Sequence, residues 1–103
     1  MLDTTPLTRA VDHFADRLRA ASQSRLQRGA ATEALGLARE LALRAQRLED
    51  PYGTPREMPD AGMFAAADQI TVAGHDLALA LKDEDELAEA VTLVAEAQKR
   101  AGV

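Results

Sequence analysis

The stretch MFAAADQITVAGHDLALALKDEDEL, residues 63–87, decides whether the chain folds as three helices or four. It holds no proline and one glycine, Gly74, so its composition permits a single helix running on to the C-terminus. The phase of its apolar residues does not. Met63, Ala66, Ala67, Ile70, Ala73, Gly74, Leu77 and Leu81 recur at three- and four-residue spacing and share one face. Leu87, Ala90, Val91, Val94, Gln98 and Ala101 share another face, rotated by roughly 110° at the 100° per residue of an α-helix. A straight helix cannot bury both faces on one core. Asp83 and Glu86 supply the break: Asp-x-x-Glu resembles a capping box, and further acids in the first turn suit the positive end of a helix. A tight turn is therefore expected near Lys82 and Asp83. The fourth helix should end where Lys99 and Arg100 precede Gly102.

Working back towards the N-terminus, Asp60 is placed to cap the third helix, and the segment Asp50-Pro-Tyr-Gly-Thr-Pro-Arg-Glu-Met-Pro-Asp60 holds three prolines and a glycine. It reads as the one long connection. A second helix spans Ala31 to Glu49, with Ala34, Leu37, Ala38, Leu41, Ala45 and Leu48 on its inner face and Leu35 widening the stripe. Leu43 falls among charged residues on the other side. A first helix starts at Thr5 and Pro6, an N-cap followed by proline at the first helical position. It buries Leu7, Ala10, Val11, Phe14, Leu18 and Ala21, and is expected to end near Arg28, ahead of Gly29. The expected fold is all-α, an antiparallel four-helix bundle of two helical hairpins joined by the proline-rich loop, in a single domain of residues 1–103.

Composition agrees with helix. The chain has 22 Ala and 14 Leu against 5 Val, 1 Ile, 2 Phe, 1 Tyr and no Trp, so strand-forming residues are nearly absent. An alanine-rich core gains little area per residue and depends on close helix approach, and a small domain with such a core is a candidate for self-association. Net charge is −5, divided as +1 over residues 1–50 and −6 over residues 51–103. That balance speaks against phosphate-backbone binding, and although Arg9, Arg17, Arg19, Arg25 and Arg28 cluster in the first part, they alternate with acids and have no aromatic company. No nucleic acid partner is expected, a DNA-binding accessory role ranking below the readings that follow.

There is no cysteine, and the N-terminal MLDTTPLTRA lacks the basic-then-apolar pattern of a signal peptide, so the expected location is cytoplasmic. The most apolar stretch, Met63 to Leu81, is interrupted by Asp68, Gln69, His75 and Asp76, which argues against a membrane span. No nucleophile elbow or glycine-rich phosphate loop is present, and no catalytic role or cofactor is expected.

The readings that survive concern binding. Val72 and Leu79, seven residues apart, form a second apolar line on the third helix with Phe64 at its margin, and the loop carries Tyr52, Arg56 and Met58. These six residues are the expected contact set for a protein partner, a second copy of the chain included. The competing expectation is that the bundle buries that side too. The alternative is a small-molecule or metal site built from His13, Asp16 and His75 with nearby carboxylates. It lacks the Glu-x-x-His pairs of di-iron bundles, and both histidines fall beside the apolar stripes. The Asp83–Glu86 acidic run does not have calcium-loop spacing and is explained by helix capping.

Overall fold

A computed structural model describes residues Met1–Val103. The chain is all-helical and forms a four-helix bundle with Cα extents of 40 × 27 × 17 Å. Helix α1 spans Thr5–Ala20, α2 Ala31–Glu49, α3 Ala66–Ala80 preceded by a 3-10 turn at Met63–Ala65, and α4 Glu84–Ala101. No helix is long and apolar enough to cross a membrane.

Several ends follow the expected chemistry. Asp83 caps α4, its carboxylate accepting from the Glu86 backbone N–H at 2.9 Å, and Gly102 closes that helix in the left-handed conformation. Three ends differ. Helix α1 stops at Ala20, not near Arg28, because Ala21 and Ser22 are both extended and the Ser22 hydroxyl accepts from the Arg25 N–H at 3.1 Å, starting a new helical turn. That turn, Gln23–Arg25, continues through a π-turn at Leu26–Ala30 into α2, with the bend taken by Gly29 at φ 139°. Thr5 is inside α1 rather than its cap; the Asp3 carboxylate accepts the Thr5 N–H at 3.0 Å, and bonding to Thr5 holds its pKa below the ordinary carboxylate value. Asp60 does not cap α3, since its carboxylate accepts from Gly62, which lies ahead of the helix.

The core is one cluster of 24 buried apolar residues, 12 of them alanine, with no polar or charged residue buried among them. The stripes predicted for the helices supply most of it, joined by Ala15, Leu26, Ala30, Ala78 and Ala97. Of the residues predicted to face inward Leu48 is left exposed, 39% in the last turn of α2; Leu43, expected on the other side, is half-buried. Alanine lets the helices approach closely. At Gly74 of α3 the approach to α1 leaves no room for a side chain: a Cβ there would lie 2.5 Å from Val11 Cγ2.

The bundle is as expected, but the pairing of helices within it corrects the expected two hairpins, because in neither hairpin do the two helices pack on each other. Helix α3 packs on α1 and α2, and α4 packs on the same two, so α1 and α2 sit diagonally, as do α3 and α4. Polar side-chain contacts between helices give the directions. Arg19 with Asp68 and Asp12 with His75 set α1 antiparallel to α3, while Arg44 with Glu89 and Glu33 with Arg100 set α2 antiparallel to α4. Helices α2 and α3 run the same way: their early residues Ala31, Leu35, Met63 and Ala66 line one groove, and their late residues Arg44, Leu48, Leu77 and Leu81 line another.

The proline-rich segment makes this possible by folding back along α2. Gln46 holds both backbone groups of Arg56, accepting from its N–H at 2.7 Å and donating to its carbonyl at 3.0 Å. Seven residues earlier on α2, Arg39 donates to the Met58 carbonyl at 2.8 Å and pairs with Glu57 at 3.1 Å. Chain that leaves α2 at its end thus returns beside its middle before α3 begins.

Candidate functional site

Because α3 lies between α1 and α2, it buries Ala66, Ala67, Ile70, Ala73, Gly74, Leu77 and Ala78 and leaves only a narrow outward strip. Helical phase puts Asp68, Val72, His75, Asp76 and Leu79 on that strip, and all five are exposed. Val72 is 56% and Leu79 86% exposed, with Phe64 at 73% on the 3-10 turn just before the helix. Burial of a second side of α3 is therefore not what the bundle does. Seven residues of helix separate Val72 from Leu79 by about 10 Å along the axis.

Two polar residues of the strip, Asp68 and His75, are fastened to α1. Arg19 reaches Asp68 at 2.9 Å and Asp16 at 3.4 Å, and its pKa is raised, the hydrogen bond it donates to Asp68 being the main cause. His75 Nε2 lies 2.9 Å from Asp12 Oδ1. Both bonds are at the surface, where they hold the edge of the strip in place and add little to stability.

The loop residues divide. Tyr52 is fully exposed, whereas Met58 is half-buried and packs against the core, so its contacts are within the bundle. Arg56 is held through its backbone by Gln46 and its side chain is exposed.

The alternative ligand set is not assembled. His75 is bonded to Asp12, Asp16 to Arg19, and His13 is exposed on α1; no group of three His, Asp or Glu side chains converges as metal ligands would.

Two features of the surface escaped the sequence. One is the groove of about 260 Å³ between the late turns of α2 and α3 and the start of α4, with Leu48, Leu77 and Leu81 in its lining and Arg44 on its wall. Burial opposes the charge on Arg44, but hydrogen bonds to Glu40 at 2.9 Å and Glu89 at 2.8 Å more than offset it, and its pKa is raised. The Glu40 and Arg44 spacing was readable as an i, i+4 pair; Glu89 was not. The other is the meeting of Arg25 and Arg28 with Arg100, residues more than seventy positions apart.

No protein-family model, no curated protein and no solved structure matches the chain.

Proposed function

We propose that this chain is a noncatalytic, cytoplasmic interaction module that docks another protein, a second copy of itself included, through the outward strip of α3. The observation that supports it is the exposure of Phe64, Val72 and Leu79 on and beside the helix that is otherwise the most enclosed in the bundle. Apolar side chains aligned on one face of a rigid helix lose little conformational freedom when covered, and each one buried contributes on the order of 1.5–3 kcal/mol. Tyr52 and Arg56 on the returning loop belong to the proposed contact set as a second element, both side chains being exposed. Met58 serves it indirectly, by pinning the loop to the core.

The test is the solution mass of the purified chain across a concentration range, by light scattering, for the wild type and for Val72→Asp with Leu79→Asp. An oligomer that the double substitution dissociates, raising its Kd at least tenfold, supports the strip as the interface. Association that survives the substitutions with an unchanged Kd removes the strip from the reading. A wild type that stays monomeric throughout rules out the second copy and leaves a foreign protein as the partner.

A further inference from the structure

Where α1 ends, α2 begins and α4 ends, three arginines from two separate parts of the chain line one groove of about 410 Å³. Arg25 and Arg28 come from the turns between α1 and α2, and Arg100 from the last turn of α4. Glu33 is the one acid in the lining, so the groove carries three guanidiniums against one carboxylate in a chain whose net charge is −5. Two of the three are already positioned by the fold. The Arg25 guanidinium donates to the Gly102 carbonyl, and Arg100 Nε donates to Glu33 at 2.9 Å. Each bond occupies one of the five N–H donors on its side chain and leaves the others free. The Arg28 side chain makes no hydrogen bond or ion pair, although Glu33 lines the same groove.

We propose that this groove binds the phosphate group of a small phosphorylated metabolite. A phosphate dianion offers several acceptor oxygens, and guanidinium forks, supplied here by two separate segments, suit it in donor geometry and charge. A single carboxylate would be satisfied by one fork. The groove exceeds a phosphate group in volume and has room for a small organic moiety. The acidic balance of the rest of the chain opposes a long nucleic acid backbone, so the ligand is a small molecule. The site is separate from the α3 strip and does not depend on it.

The experiment is calorimetric titration of the full chain with pyrophosphate, adenosine monophosphate, adenosine and a short DNA duplex. Saturable binding of pyrophosphate and the monophosphate, with none of adenosine, is expected. Arg28→Ala alone should weaken it several-fold, and Arg28→Ala with Arg100→Ala at least tenfold. Because Arg28 has no partner in the fold, its single variant reads out binding even if loss of the Arg100 bond to Glu33 loosens α4. The pair Arg9→Ala and Arg47→Ala removes the same charge elsewhere, at two exposed side chains, and should change Kd less than twofold. Equal weakening by both pairs would show general charge attraction and overturn the site, as would the absence of saturable binding. Duplex bound more tightly than the monophosphate through the same arginines would overturn the small-molecule ligand.

Discussion

Gly74 is where the alanine-rich construction of this bundle has no slack. Replacing glycine with alanine inside a helix normally gains about 1 kcal/mol. Here the new methyl would meet Val11, whose β-branched side chain is fully buried and has few rotamers to move into. Overpacking of this kind costs about 1–3 kcal/mol, so Gly74→Ala should be destabilising overall. Adding Val11→Ala should recover much of that loss, giving a favourable coupling in a urea-unfolding double-mutant cycle. Strict additivity would mean the two residues do not press on each other. At this scale the sequence was legible wherever burial depends on helical phase alone: Leu7, Val11, Phe14, Leu18 and the whole inner face of α3 lie where spacing put them. It misled where phase is right but the neighbouring helices stand apart, as at Leu48 in the groove beside Leu77 and Leu81, and it was silent on which acid His75 would meet.

Among the elements, the returning loop depends most on one residue. Gln46 holds the loop backbone at Arg56 with two hydrogen bonds and braces itself on the Ala42 carbonyl at 3.2 Å. Gln46→Ala should cost about 1–2 kcal/mol and release the segment, so that trypsin cuts after Arg56 much faster than in the wild type. An unchanged cutting rate would show that Arg39 and Met58 hold the loop without it. The loop's existence was plain from its prolines, but its path was not, because the side chains that guide it sit on another helix. The bounds of α2 and the cap of α4 were likewise legible from local chemistry. The end of α1 was not. Leu26 and Ala30, both buried, continue an apolar pattern past Ala20, and the competing signal, the side chain of Ser22 acting as a cap, is a single hydroxyl.

For the whole molecule, four amphipathic stripes announce a bundle without saying which stripe faces which. Periodicity is a property of one helix at a time, whereas the order of helices around the core is set by a loop that doubles back. The diagonal arrangement has an outcome for how the chain can be divided. Residues 1–52 carry α1 and α2, which scarcely touch, and residues 53–103 carry α3 and α4, which scarcely touch either. Neither half owns a core. Each fragment alone should be unfolded by circular dichroism, and mixing the two should restore the helical signal and a cooperative melt. A half that folds by itself would refute the pairing. On this wiring the bundle is an obligate complementation pair that happens to be written on one polypeptide, and a reporter whose signal requires both fragments could be cut from it at the loop.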